Sequence, residues 1–420
     1  MSARQAAAEL IVAVLDNGRA LDDALNDTPS FTALEGRDRA FARAMATAAL
    51  RRLGAIDAVL ARFLQRPLPD TAFHGRALLR VGAAQILVLG TPSHAAVGET
   101  VSAANSMREA RGFAKLINAV LRRVAQEGAS ISASLPAGAD LPGWLYTRWR
   151  AAHGDAAPAI AASLLSEAPL DLSVKQDADG WATRLGGDVT PTGSVRLSTA
   201  PPIDQLPGFA DGAWWVQDAA AALPAKLLGE VSGKRVLDLC AAPGGKTLQL
   251  AAAGAHVTAV DKSKPRLGRL RENLQRTQLK ADVIAADAME FRASERFDAI
   301  LLDAPCTSTG TLRRHPDVAW LRRPHDVRAL AELQAKLLNA AAALLKPSGV
   351  LVYAVCSLEP EEGPAIVAQA LSHGWSRKPI TAAEIPSEFI TPDGDMRTLP
   401  SHWPDIGGLD GFYAARLMRG

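Results

Sequence analysis

Three cysteines in 420 residues are too few for a disulfide framework. No two of them stand at the C-x-x-C spacing of a thiolate zinc site, so no metal is expected. Charge of one sign is scarce too. The 46 Lys and Arg nearly balance 44 Asp and Glu, leaving +2, so no whole-molecule field draws the chain to nucleic acid or membrane. Long apolar runs are missing: the longest, Leu337 to Val355, is broken by Lys346, Pro347 and Gly349 and cannot span a bilayer. The start, Met1-Ser2-Ala3-Arg4, leads into an apolar patch, Leu10–Leu15, bounded by Glu9 and Asp16. That reads as one face of an amphipathic helix, not as a secretory signal. A cytoplasmic protein with reduced thiols is expected.

What is present suggests two or three domains. Over residues 1–127 apolar residues recur at helical spacing: Leu10, Ile11, Val14 and Leu15, then Phe41, Ala44, Met45 and Ala48, then Ile56, Val59, Leu60 and Phe63. Gly54, Pro67, Pro69 and Gly90-Thr91-Pro92 punctuate the runs, so an all-α domain is expected. Residues 1–128 hold 16 Lys and Arg against 12 Asp and Glu. The excess is nearly all arginine, with Arg37, Arg39 and Arg43 close together. Arginine's planar fork suits phosphate, while the plainer reading is the solvated face of a helical bundle. Both stay open.

Residues 128–142 are small, polar and punctuated by Pro and Gly, which is linker chemistry. Residues 143–213 read as a small α+β module, with helices at 143–153 and 157–166 and strands at Leu170–Val174, Trp181–Leu185 and Val195–Leu197. Residues 214–420 alternate apolar strands with helices. The strands are Arg235–Leu239, His256–Val260, Asp282–Ala285, Ala299–Leu302 and Val350–Val355; the helices are Thr247–Ala253, Lys264–Leu274 and Val327–Leu345. This predicts a Rossmann-like α/β domain whose ligand lies beyond the carboxyl ends of the strands.

The strongest motif is Val236-Leu237-Asp238-Leu239-Cys240-Ala241-Ala242-Pro243-Gly244-Gly245-Lys246-Thr247. A buried strand ends there in a small-residue loop that opens a helix. A phosphate-binding P-loop would need glycine where Cys240 stands, and the dinucleotide pattern G-x-G-x-x-G is missing. An adenosyl ligand without a pyrophosphate needs the tight turn but not the anion cradle. Asp261 ends the second strand, where a carboxylate can bond ribose hydroxyls, and Asp287 follows the third, near an adenine edge. Singly, either acid is a helix cap. As a spaced set they favour S-adenosylmethionine.

The fourth strand runs into Asp303-Ala304-Pro305-Cys306 and the fifth into Cys356-Ser357-Leu358-Glu359-Pro360-Glu361-Glu362. A lone cysteine is usually a small buried apolar residue, and Cys240 keeps that reading. Two at the carboxyl edge of adjacent strands, beside an acid, suggest chemistry. Carbon 5 of a pyrimidine becomes nucleophilic once a thiolate adds at carbon 6. An acid at N3 eases the added charge, which suits Asp303, and a second cysteine can later take the carbon-5 proton. Lys246 could lower the pKa of the attacking thiol.

These motifs resemble those of the RNA cytosine-C5 methyltransferases, and among them the bacterial Sun/RsmB type that acts on small-subunit (16S) rRNA. Val216-Gln217-Asp218-Ala219-Ala220 is similar to that family's entry motif, and Asp410 to Leu417 to its closing strand. The resemblance implies a cofactor site at Cys240, Ala241, Ala242, Pro243, Gly244, Gly245, Lys246, Asp261, Asp287 and Asp303, holding S-adenosylmethionine. It implies Cys356 as nucleophile and Cys306 as the residue of release. Ser93-His94-Ala95-Ala96-Val97 and Phe113 to Arg123 resemble the fused NusB-like RNA-binding domain. The implied partner is 16S rRNA, free or in a partly assembled subunit, met by a monomer. Arg313 and Arg314, just after the release cysteine, fit a loop gripping RNA phosphate; a solvated basic loop fits equally. Thr307-Ser308 departs from the usual Ser-Gly after that cysteine, and Val355 from the usual threonine before the other. An inactive RNA-binding relative and a DNA cytosine methyltransferase remain as alternatives.

Overall fold

The computed structural model describes residues 2–199 and 201–419. The chain divides into two units, Met1–Leu165 with Leu312–Arg323, and Ser166–Thr311 with Pro324–Gly420.

The first unit is helical. Its helices are Ala3–Leu15, Leu21–Asp27, Pro29–Thr32, Gly36–Arg51, Leu53–Ala61, Phe73–Leu87, Ser93–Ser106, Ala114–Ala133, Gly143–His153, Ala157–Ser163 and Val318–Leu321. The first begins with a capping box: the Ser2 hydroxyl accepts from Gln5 N at 3.3 Å, and the Gln5 side chain accepts from Ser2 N at 2.7 Å. Leu10, Ile11, Val14, Met45, Ile56, Val59, Leu78 and Leu121 share one buried core, as helical spacing predicts.

Residues 128–133 are helix rather than linker. The stripe Ile117, Val120, Leu121 and Val124 continues to Gly128, where a Cβ would lie 3.0 Å from Leu87 Cδ2; close packing carries the helix past the expected stop. Residues 143–165, expected in the α+β module, belong to the helical unit.

Residues 312–323 also fold with these helices. Leu21 N donates to Asp317 Oδ2 at 3.0 Å, Arg51 to the Arg313 carbonyl at 3.0 Å, and the Trp320 indole to the Leu50 carbonyl at 3.0 Å. Arg313 is 1% exposed, so its guanidinium is not on offer to an RNA phosphate; that expectation is corrected. Arg314 is half-buried in the same segment. The arginine excess is partly used inside the unit, where Arg52 pairs with Asp140, Arg76 with Asp16 and Arg80 with Asp57. Arg37, Arg39 and Arg43 are exposed.

The second unit carries two sheets. The small one is antiparallel, with β1 (Leu170–Val174), β2 (Asp188–Val189), β3 (Val195–Leu197) and β4 (Trp214–Val216) in the order β2-β3-β1-β4. Trp181–Leu185, expected as a strand, lies in the helix Ala178–Leu185. Ala178, Trp181, Ala182 and Leu185 are spaced i, i+3, i+4, i+7, the Asp177 side chain caps the start, and Gly186 ends it at φ 68°. The helical period outweighed the local β propensity.

The large sheet runs β10-β12-β9-β8-β5-β6-β7. Its strands are β5 (Arg235–Leu239), β6 (His256–Asp261), β7 (Asp282–Ala285), β8 (Phe297–Asp303), β9 (Leu345–Val355), β10 (Trp375–Arg377), β11 (Met396–Thr398) and β12 (Phe412–Arg419), with β11 paired beside β12. From β7 to β9 neighbours are parallel; β12 and β10 close the sheet antiparallel. The chain goes outward through β5, β6 and β7, then returns to β8 on the other flank of β5. That reversal is the topological switch where such sheets bind ligands. Among the described residues, no helix is long and apolar enough to cross a membrane.

Candidate active site

The glycine-rich loop leaves β5 through Cys240, a non-glycine residue at φ 60°, and reaches Gly244 at φ 108° before the helix Gly245–Ala252. A Cβ on Gly244 would meet Leu270 at 2.1 Å, so both conformation and space require glycine. The loop's amides are partly spent inside the protein. Ala241 N donates to the Val260 carbonyl at 3.1 Å and Ala242 N to Asp261 Oδ2 at 3.1 Å. That is not a phosphate cradle. Cys240 is half-buried, and burial pushes its thiol up to about 12, which leaves it inert.

The surrounding acids make the crevice rich in acceptors. Asp238 is fully buried beneath the loop; burial lifts its carboxyl to about 7 against the pull of Thr247, whose hydroxyl donates to it at 2.5 Å. Its other oxygen has no hydrogen-bond partner in the protein. Asp261 also accepts from Ser263 N at 2.8 Å, and Asp287 from Met289 N at 2.9 Å. Each acid therefore caps a turn as well as standing at a strand end, and an ionised carboxylate still has lone pairs to spare. Acceptors suit a ligand bearing an ammonium, a sulfonium and ribose hydroxyls; they would repel a pyrophosphate.

At the next strand end, Lys246 Nζ donates to Asp303 Oδ2 at 2.8 Å and lies 5.1 Å from the Phe412 ring centroid. Burial opposes the lysine's charge, but the Asp303 carboxylate outweighs it and holds Lys246 above its ordinary pKa. Asp303 pairs with Ala354 across parallel strands β8 and β9, so the segments that follow them run side by side. The sulfurs of Cys306 and Cys356 are 3.4 Å apart. Cys306 is buried and Cys356 half-buried. The Cys306 thiol, donating to Cys356, pulls Cys356 below an ordinary cysteine, and Lys246 adds to this; Cys306 is pushed well above by that bond, by burial and by Glu362.

Backbone contacts lock the pair. Ala304 N donates to the Ala354 carbonyl at 2.9 Å, and Gly310 N to the Cys356 carbonyl at 3.0 Å. Ser308 sits at φ 60°, the left-handed region, a conformation that favours glycine. A Cβ on Gly310 would lie 1.9 Å from the Gly411 carbonyl oxygen. Gly310→Ala is therefore expected to cost about 1–3 kcal/mol and to lower the thermal midpoint. An unchanged midpoint would show that this loop can yield.

Several supporting contacts, among them those of Asp171, Arg196, Gln249 and Arg397, carried no signal in the sequence. Asp171 and Arg196 form a buried bidentate pair, both bonds 2.7 Å, and Asp171 also accepts from Ala219 N at 2.9 Å, pinning the segment after β4. Gln217 in that segment bonds Gln249 on the loop's helix at 2.7 Å. Arg397 donates to the Ser357 carbonyl at 2.7 Å. Among the described residues no cluster could hold a metal ion.

Fold and site together define a methyltransferase that uses S-adenosylmethionine. Residues 225–418 match the model of the 16S rRNA methyltransferase RsmB/F family, and residues 1–126 that of the NusB family. The chain is 38% identical to ribosomal RNA small subunit methyltransferase B of Xanthomonas campestris over all of this chain and 97% of that one. It is 39% identical to the protein of the same name from Vibrio cholerae, over 100% and 98%. Among solved structures, PH0851 has a TM-score of 0.79 at 22% identity over 99% of both chains. A methyltransferase homolog protein from Pyrococcus horikoshii has a TM-score of 0.56 at 27% identity, over 65% of this chain and 94% of that one. The chain belongs to the RsmB/F family of rRNA methyltransferases, with a NusB-family domain at its N-terminal end.

Proposed function

We propose that this protein methylates carbon 5 of a cytosine in 16S rRNA, through a transient bond from Cys356 to carbon 6. The observation that carries this reading is the sulfur pair, 3.4 Å apart at the ends of adjacent parallel strands, beside the Lys246–Asp303 ion pair. Cys240 to Lys246, with Asp261, Asp287 and Asp303, hold S-adenosylmethionine, which supplies an electrophilic methyl group. Cys356 is the nucleophile because it is the less buried of the two cysteines and the one whose thiol is pulled down. Its electron pair forms the bond to carbon 6, and the ring's displaced pair gathers at carbon 5. The Asp303–Lys246 pair meets the charge that develops at N3.

Once carbon 5 is methylated, its proton must leave as the carbon–sulfur bond breaks. Cys306 takes that proton after its own thiol proton has passed to solvent, once Cys356 is bonded to carbon 6; its high proton affinity suits a base, and the lower pKa of Cys356 suits a leaving group. The target base has to leave its stack to reach such a crevice. Arg37, Arg39 and Arg43, exposed on the helix Gly36–Arg51, are assigned to RNA phosphate. The enzyme works as a cytoplasmic monomer.

Bisulfite sequencing of unmodified 16S rRNA, treated with the protein and S-adenosylmethionine, tests this reading. One newly protected cytosine is expected, with less protection by an R37A/R39A/R43A variant at raised salt. Methyl transfer to RNA with no protected cytosine would sink it.

A further inference from the structure

Bonded to the residues that follow the two cysteines lies a carboxylate that the chemistry above does not use. Glu362 is fully buried, in the short 3-10 turn Pro360–Glu362 that follows Cys356. Its Oε1 accepts from Thr307 N at 2.8 Å and from the Gln334 amide at 3.0 Å. Its Oε2 accepts from the Ser357 hydroxyl at 2.5 Å and from the Thr307 hydroxyl. Thr307 follows Cys306 in the chain and Ser357 follows Cys356. One side chain thus holds the residue after each sulfur, across segments that are 50 positions apart.

We propose that Glu362 is a positioning residue for the two-cysteine reaction: by accepting bonds from Thr307 and Ser357 it fixes the spacing of the two sulfurs and, before Cys356 adds to the base, keeps Cys306 as the proton-bearing partner. The proposal rests on the covalent reading above.

Geometry supports the first part. Two N–H donors meet one oxygen and two hydroxyls the other, an arrangement that an ionised carboxylate satisfies by accepting from all four. The other groups around the pocket are themselves fixed. Gln334 also donates to the Pro305 carbonyl at 2.9 Å, and the Tyr353 hydroxyl donates to the Glu362 carbonyl at 2.5 Å and lies 3.1 Å from Gln334 Oε1. Glu362 is therefore held from strand β9, from the helix Pro324–Leu344 and from the Cys306 loop at once. Electrostatics supports the second part. The Glu362 charge faces the Cys306 side and raises that thiol, while the Lys246 ammonium lowers Cys356. Tyr353 faces the same pocket and is pushed far up by burial, so it stays neutral. Burial also pushes the Glu362 carboxyl up, against the pull of Ser357, Thr307 and Gln334. The pair is polarised from both ends, and two chemically equal thiols acquire different tasks.

The test uses the full-length protein with 16S rRNA, in single-turnover reactions that follow the RNA–protein adduct on denaturing gels. Iodoacetamide labelling, mapped by mass spectrometry, reports which cysteine reacts first. Glu362→Gln keeps the shape and removes the charge. Ser357→Ala removes one tether and keeps the charge. Both are expected to slow adduct release by about tenfold to a hundredfold with an unchanged KM for S-adenosylmethionine. Only Glu362→Gln should lose the labelling preference for Cys356. Normal release in both variants would overturn the proposal, as would a loss that only follows the folded fraction. If Glu362→Gln does not fold, release by Ser357→Ala decides alone. A Cys356→Ser protein that still methylates would instead overturn the covalent reading, whereas an inactive Cys356→Ser beside a normal Glu362→Gln removes only the role of Glu362.

Discussion

Alanine in place of Cys306 is expected to leave a covalent RNA–protein species on denaturing gels, and alanine in place of Cys356 to leave none. The difference follows from where each sulfur enters the reaction. Cys356 forms the bond to carbon 6, so without it carbon 5 is never activated and transfer falls to background. Cys306 acts after the methyl group has moved, when loss of the carbon-5 proton expels Cys356. Removing that base slows release by about 10²–10⁴-fold, the usual worth of a placed proton acceptor, so the adduct outlives the assay. The two variants should also differ in pH response. The Cys306 thiol is the largest influence holding Cys356 down. Cys306→Ala raises the remaining thiol, and the adduct should form faster at pH 8–9 than at pH 7. Adduct from Cys356→Ala and none from Cys306→Ala would exchange the two roles. No adduct from either would end the covalent route.

The catalytic sheet was legible because its parallel strands are buried on both faces and read as nearly continuous apolar runs. Arg235–Leu239 and Asp282–Ala285 match their expected bounds, while β8 and β9 extend beyond theirs. The strand-end cysteines and acids were legible for a related reason: turns at strand ends are short, so a residue's place in sequence nearly fixes its place in space. What escaped depends on contacts between distant segments. No local pattern marks residues 312–323 as part of the helical unit, because Asp317, Trp320 and Arg313 find their partners 262 to 296 positions earlier. Arg313 looked like a solvent-facing cation for that reason. Glu362 is a harder case. Glu359, Glu361 and Glu362 stand in one acidic run, and only the turn after Cys356 decides which of them faces Thr307 and Gln334. The helix Ala178–Leu185 escapes differently: Trp181–Leu185 taken alone suggests a strand, and only with Ala178 included do the apolar residues repeat at 3.6.

Asparagine at position 303 is expected to separate thiol reactivity from catalysis. The Asp303 charge pushes the Cys356 thiol up, and Lys246 pulls it down. Removing the carboxylate's charge takes away one of the two influences that raise Cys356, the other being burial. The Cys356 pKa is then expected to fall if Lys246 keeps its charge against burial. Below that pKa each unit of decrease gives about ten times more thiolate, so labelling of Cys356 at pH 6–7 should speed up and its pH midpoint should move down. Methyl transfer should move the other way. Addition at carbon 6 builds charge toward N3, and an amide neither accepts nor returns a proton there; a loss of about 10²–10⁴-fold is expected. A thiol that is more reactive in an enzyme that is slower cannot be explained by disorder of the site, since disorder would slow both. If labelling and turnover fell together, Asp303 would be acting as the anchor of Lys246 in the loop, and the developing charge on the ring would have to be met by another group.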